Sequence, residues 1–245
     1  MGGIIREIFS SVQGEGPFVG CRQVFIRFLG CNLSCRYCDT RAGEDQEKCR
    51  VETVPGKKVF SALDNPISVS RVLETIKCCF PPGLHHSVSL TGGEPLLQGD
   101  FLGDLLPGLK ELGLRIYLET NGSLPEKLEP IIRLVDFISM DLKLPGIAGC
   151  PPLWDRHLHF LSVAKQAGVF VKIVMDDSVC ASEYERSLDL VAGVDAGIAL
   201  VIQPLTVGGR CALSPQRALE LQAVGLKKLR DVRIIPQAHV FMQQL

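Results

Sequence analysis

Gly30-Cys31-Asn32-Leu33-Ser34-Cys35-Arg36-Tyr37-Cys38-Asp39-Thr40 is the stretch from which the rest of the chain is read. Three cysteines stand at C-x3-C-x2-C spacing, directly after an apolar run (Val24, Phe25, Ile26, Phe28, Leu29) with the composition of a strand. Three thiolates on one short loop can hold three corners of an iron–sulfur cube and leave the fourth iron open to an outside ligand. Four-cysteine spacings saturate an electron-transfer cluster instead. Two plainer chemistries compete. A zinc site would show C-x2-C pairs with a fourth Cys or His at matching spacing, and Cys21 and Cys49 lack that pairing. A disulfide framework is disfavoured because three cysteines on one loop are too close for sensible pairing.

Outward from the loop, the bulk numbers bound the answer. A chain of 245 residues, 46% hydrophobic, has ample core for one α/β domain, here taken as 1–245 with a polar excursion at about 41–65. The 26 Lys and Arg nearly balance the 27 Asp and Glu, for a net charge of -1, which argues against broad electrostatic binding to nucleic acid or an anionic membrane. No apolar run approaches the ~20 residues that span a bilayer. Met1 to Glu7 lacks a basic-then-apolar signal pattern. Ten cysteines without such a signal point to a reducing cytoplasm, where those outside the loop serve mostly as packing residues.

Before the loop, residues 4–9 read as a strand running into the glycine-rich turn Ser10 to Pro17, with Gln13 and Glu15 at its rim. Residues 23–29 read as the strand leading to the cysteines. Arg27 breaks its apolar pattern, so that charge is either ion-paired or faces an anionic ligand. Periodicity fades over 41–65. From Ser68 onward, helices over 70–79, 99–112, 125–134, 153–167, 182–192 and 214–229 alternate with strands over 87–90, 114–119, 135–140, 169–174, 198–203 and 232–235. Ser214 reads as an N-cap before Pro215. Such alternation predicts parallel strands covered by outer helices, too few for eight full units and therefore an open, partial TIM-like barrel.

In such sheets ligands bind beyond the carboxyl ends of the strands. The polar clusters fall there: Cys31 to Cys38, Thr91 to Glu94, Glu119 to Asn121, Asp141 to Lys143, and Gln203-Pro204. Thr91-Gly92-Gly93-Glu94-Pro95 offers backbone bare of side chains and then a carboxylate. Asp141 and Lys143 read equally as a local ion pair or as ligand contacts. His85, His86, His157 and His159 read as surface or packing residues, whereas His239 draws interest because it follows the last strand.

The cysteine loop resembles that of the radical S-adenosylmethionine (SAM) enzymes, and Gly92-Gly93-Glu94-Pro95 resembles their GGEP motif. The resemblance implies a radical SAM barrel with a [4Fe–4S] cluster on Cys31, Cys35 and Cys38. SAM would sit on the open iron, with a radical generated by the cofactor and no side chain catalytic beyond cluster and SAM. More narrowly, Phe9 to Pro17, Gly20, Phe25-Ile26-Arg27 and Gly30 to Thr40 together look like the 7-carboxy-7-deazaguanine synthase family. The likeness returns at Thr91 to Pro95, Gln203-Pro204 and Pro236 to His239. It implies a lyase that rearranges 6-carboxy-5,6,7,8-tetrahydropterin to 7-carboxy-7-deazaguanine with loss of ammonia, a precursor step for queuosine and archaeosine.

Carried over by position, Tyr37, Asp39, Gly93, Glu94 and Gln203 would contact SAM. So would Ser139, Asp141 and Lys143, where many members carry Ser-Pro-Lys. Val12, Gln13, Gly14, Arg27 and Thr91 would hold the pterin, with Arg27 on its carboxylate. Thr40 would ligate Mg2+. A homodimer and an electron donor such as flavodoxin or ferredoxin are implied as well. Two other functions compete: a glycyl-radical-enzyme activase, which shares the cysteine spacing but acts on a protein backbone, and a non-catalytic iron–sulfur carrier, which would favour a fourth cysteine.

Overall fold

Runs rich in Val, Ile, Leu and Phe form the strands, and the stretches between them fold as helices whose apolar stripes cover the sheet. The structure is a computed structural model and describes residues 2–38 and 47–244. The strands of its main sheet are β1 (Ile5–Val12), β2 (Arg22–Phe28), β3 (Lys48–Val54), β4 (Val59–Asp64), β5 (Ser87–Gly92), β6 (Ile116–Thr120), β7 (Phe137–Asp141), β8 (Gly168–Met175), β9 (Ala199–Pro204) and β10 (Val232–Ile234). The helices are α1 (Val69–Cys79), α2 (Gly99–Glu111), α3 (Pro125–Leu128), α4 (Trp154–Ala164), α5 (Ala181–Asp195), α6 (Pro215–Gly225) and α7 (Ala238–Phe241), and a further single turn of helix spans Pro145–Ala148. Among the described residues these strands form one sheet in the order β10-β9-β8-β7-β6-β5-β2-β1-β3-β4, with β10 and β4 as its two edges. The sheet is therefore open.

From β2 through β5 to β10 the neighbours are parallel. The strands that precede the strand–helix alternation make the other end of the sheet mixed. There β1 runs antiparallel to β2, and β4 antiparallel to β3. A short return suffices for each pair, because an antiparallel partner needs no crossover. The part of the polar excursion after residue 46 is this β3–β4 hairpin. Glu52 pins it: fully buried, its carboxylate accepts from Gly56 N at 2.9 Å, Lys58 N at 3.3 Å and Ser10 N at 3.2 Å.

The two faces of the sheet differ. Ile8, Val24, Ile26, Leu90, Leu118, Ile138, Ile173 and Ile202 point outward into the core beneath the helices. The inward face is aromatic near the amino ends of the parallel strands. There Phe9 stacks on Phe25 at 5.0 Å, and Phe18 meets Tyr117 edge-on at 5.6 Å and Phe137 at 4.7 Å. Two residues further along each strand it turns polar, leaving room above the aromatic floor.

Helix boundaries follow local chemistry. α1 opens where the Ser68 side chain accepts from Arg71 N at 3.3 Å, a cap worth about 1 kcal/mol, and it buries Val72, Thr75 and Ile76. The helix expected over 125–134 is instead one turn, α3, and a 3-10 turn at Ile132–Leu134, because Pro130 interrupts it. Ser214 occupies the N-cap position of α6, but its hydroxyl donates to Asp177 Oδ1 at 2.9 Å rather than capping. No helix among the described residues is long and apolar enough to cross a membrane.

Candidate active site

The carboxyl ends of the parallel strands open into a cleft of about 340 Å³, whose lining includes Cys31, Cys35, Tyr37 and Cys38 together with Val12, Gln13 and Gly14. Backbone contact holds the cysteine loop in place. Gly93 N donates to Phe28 O at 3.1 Å and Glu94 N to Gly30 O at 2.8 Å. A Cβ on Gly93 would lie 1.9 Å from Gly30 O, and one on Gly92, at φ +110°, would lie 2.4 Å from Phe28 O. Both glycines are thus required by the base of the cysteine loop itself. Further along, Arg36 N donates to Ala148 O at 2.8 Å, Asn121 Nδ2 to Asn32 Oδ1 at 2.9 Å, and Asn32 Nδ2 to Ser123 Oγ at 2.8 Å. Burial pushes the Cys31 and Cys35 thiols up, and the nearby Lys143 ammonium offsets part of that at each.

Glu94 is fully buried rather than on the cleft surface. One oxygen accepts from Thr120 Oγ1 at 2.8 Å and Leu96 N at 3.1 Å, and the other from Asn121 N at 2.8 Å. Burial pushes its carboxyl up to about 7, against the pull of these donors. It orders the Thr120-Asn121 turn, whose side chains do reach the cleft.

Strand register builds a polar row into the cleft. Arg27 pairs with Thr91 and Glu119 with Ser139, and the Thr91 hydroxyl donates to Glu119 Oε2 at 3.0 Å, which aligns a polar row across β2, β5, β6 and β7. Glu119 Oε1 also accepts from Ser89 Oγ at 3.1 Å and Gln13 Nε2 at 2.9 Å. Gln13 is buried, donates to Gln23 Oε1 at 3.0 Å as well, and takes Glu15 N on its own oxygen at 3.0 Å. Arg27 is ion-paired and also reaches the cleft. Its Nε lies 3.2 Å from Glu7 Oε1 without a well-directed hydrogen bond, and its side chain also lines the cleft.

The cleft lining also contains a chain of charges. Lys143 Nζ donates to Asp141 Oδ2 at 2.7 Å and sits 5.1 Å over the Tyr37 ring. Lys172, buried in the middle of β8, donates to Glu15 Oε2 and lies 3.6 Å from Asp141 Oδ2. Glu15 Oε1 accepts from Gln237 Nε2 at 2.9 Å. Burial alone would raise Glu15, but the Lys172 ammonium and the two side-chain hydrogen bonds hold it down at about 2. His239 packs on Gly14, where a Cβ would lie 2.3 Å from its Nδ1, and Ala238 N donates to Gly14 O at 2.8 Å.

Of the residues expected at the site, Val12, Gln13, Gly14, Arg27, the three cysteines, Tyr37, Thr91, Gly93, Ser139, Asp141, Lys143 and Gln203 line the same cleft. Asp39 and Thr40 lie outside the described residues. Lys172 and Gln237 escaped the reading of the sequence. Lys172 carried a usable signal, since a lysine inside Phe170-Val171-Lys172-Ile173-Val174 breaks an apolar strand just as Arg27 does. A cluster with SAM fits what is here. Three soft thiols line the cleft, and among the described residues the buried Gln203 Oε1 and Asp141 Oδ1, both on cleft-lining side chains, have no hydrogen-bond partner in the protein. Among the described residues no three His, Cys, Asp or Glu side chains gather closely enough for a single metal ion.

The Radical SAM superfamily profile matches residues 25–176. A 7-carboxy-7-deazaguanine synthase of Geobacter sulfurreducens is 48% identical over 247 residues, covering 100% of this chain and 98% of the relative. The enzyme of the same name from Methanothermobacter thermautotrophicus is 37% identical, covering 96% and 95%. Among solved structures, QueE from Escherichia coli superposes with a TM-score of 0.63 at 21% identity over 98% of this chain and 95% of that one. Streptococcus suis SuiB bound to S-adenosylmethionine gives 0.53 at 15% identity over 86% and 46%. These two likenesses show the fold, an open radical SAM barrel.

Proposed function

This chain belongs to the 7-carboxy-7-deazaguanine synthase family of the radical SAM superfamily, and from that premise we propose that it converts 6-carboxy-5,6,7,8-tetrahydropterin to 7-carboxy-7-deazaguanine with loss of ammonia. The observation that carries the reading is that the Val12-Gln13-Gly14 segment and the three-cysteine loop line one and the same cleft. An activase of protein radicals has no use for such a clamp on a flat, polar-edged heterocycle.

Cys31, Cys35 and Cys38 would hold a [4Fe–4S] cluster, and Gly93, Tyr37, Ser139, Asp141, Lys143 and Gln203 would line the SAM beside it. When bound, cluster and SAM supply the organic radical that starts the rearrangement. The protein's own part is to bind and orient. Gln13 and the Gly14 backbone would take the pterin's amide-like edge. Arg27 would pair its carboxylate bidentately, while Glu7, on its other side, keeps the guanidinium in place. Thr91 would hydrogen-bond the ring system, its hydroxyl already oriented by Glu119. The Thr40 hydroxyl would serve as a hard ligand for Mg2+, completed by substrate oxygens and water. A cytoplasmic homodimer served by a flavodoxin or ferredoxin completes the reading.

Anaerobically reconstituted protein given reductant, SAM, Mg2+ and the pterin should form the deazapurine chromophore with no net consumption of SAM. An intact-cluster preparation that forms none would sink the assignment. Arg27→Ala should weaken pterin affinity by roughly tenfold or more while leaving SAM affinity within about threefold. Calorimetric titration with each ligand separately checks that split.

A further inference from the structure

We propose that Lys172 is a positioning residue that couples the two halves of the cleft, gripping Glu15 on the pterin side and Asp141 on the SAM side so that each ligand tightens the binding of the other. The proposal rests on the functional reading above and extends it to a residue with no role there.

Lys172 sits in the middle of β8, 7% exposed, on the inward face between Phe170 and Val174. A lone ammonium there would be expelled or neutralised, so it stands only because carboxylates answer it. Glu15 touches it directly, and Asp141, its register partner on β7, lies 3.6 Å away. The two carboxylates belong to different working parts. Glu15 donates its backbone N–H to the Gln13 side chain and accepts from Gln237, so its position sets the Gln13-Gly14 backbone and the segment that carries His239. Asp141 is held by Lys143, whose ammonium lies over the ring of Tyr37, between Cys35 and Cys38.

Carboxylate and ammonium therefore alternate from Glu15 through Lys172 and Asp141 to Lys143, with no net charge. In a site screened from water such a row holds together strongly, and moving one member moves the next. Asp141 Oδ1 is buried without a partner in the protein. A donor from a bound ligand would fix that carboxylate, through it Lys172, and through Lys172 the Glu15 loop. A hydrophobic residue would fill the same volume without the desolvation penalty, so the charge is retained for position rather than for stability.

The test uses cluster-reconstituted protein, anaerobic and without reductant, titrated calorimetrically with SAM and with 6-carboxy-5,6,7,8-tetrahydropterin, each in the absence and presence of the other. In the unsubstituted protein each ligand should tighten the other at least about fivefold. Lys172→Met should weaken the pterin by about tenfold and abolish the mutual effect. Because that variant strands a buried carboxylate, the pair Lys172→Met with Glu15→Gln serves as the folded control. It should recover the melting temperature but not the coupling. Lys172→Arg, which keeps a cation, should restore part of the coupling. Mutual tightening that survives in the double variant, or is missing from the unsubstituted protein, overturns the proposal. If the unsubstituted protein makes 7-carboxy-7-deazaguanine yet shows no coupling, only the role of Lys172 falls. If it makes none, the functional reading beneath it falls.

Discussion

At the scale of single residues, the cleft depends on positions where no side chain can be tolerated as much as on its polar groups. A methyl on Gly93 meets a backbone oxygen at 1.9 Å, and backbone cannot swing aside as the end of a long side chain can. Gly93→Ala should therefore push the base of the cysteine loop away from β5. Expected are a loss of about 1–3 kcal/mol in stability and a reconstituted protein short of most of its iron and sulfide. Gly103→Ala is the control. It lies in α2 with open space around the new methyl, and it should raise helix stability by up to about 1 kcal/mol at full iron content. The sequence revealed Gly93 through its motif but not the reason for it, because the contact joins residues 30 and 93, far apart in the chain. Arg27 and Lys172 make the same point. Each is a cation in an apolar strand and so legible as needing a partner, yet the partners Glu7, Glu15 and Asp141 are supplied by register and loop path.

At the scale of elements, the parallel half was readable because long apolar runs and 3.6-residue stripes alternate from residue 87 onward. The β3–β4 hairpin was not, since only Cys49 and Val51 of β3 are apolar and buried and no residue of β4 is fully buried. The last element, α7, shows how little of an element's function its own pattern reveals. It is one turn long and leaves Val240, Phe241 and Met242 exposed, yet it lays His239 on Gly14 and follows Gln237, which binds Glu15. Ending the chain at Pro236 should remove that cover while leaving the sheet intact. Expected are a stability loss of no more than about 1–2 kcal/mol and a pterin affinity lower by about tenfold. Denaturation and ligand titration of the truncated protein check both. A large loss of stability with unchanged affinity would make α7 a structural cap rather than a wall of the site.

At the scale of the whole molecule, the sheet separates an aromatic and polar interior from an aliphatic shell beneath the helices, and His157 spans the two. Fully buried in α4, it packs against the Gly122 turn and donates Nε2–H to Asn121 O at 3.1 Å, leaving Nδ1 bare. Burial pulls its imidazolium form down to about 4, only partly opposed by the Asn121 carbonyl. Because the folded value lies below the ordinary 6.5, the unfolded chain takes up a proton first as the medium is acidified. Stability should therefore fall as pH drops from about 6.5 toward 4 and level off below that. A difference of this size corresponds to about 3 kcal/mol. Glu94, raised by burial, contributes with the opposite sign between about 4.5 and 7, so the total profile hides either group. The difference between proteins isolates one. His157→Gln can still donate to the Asn121 carbonyl but does not titrate, so its stability measured against the unsubstituted protein should rise by about 3 kcal/mol on going from pH 6.5 to pH 4. Urea denaturation at closely spaced pH values measures that difference, and a flat line would mean that acid reaches this histidine without unfolding the turn that orders the cysteine loop.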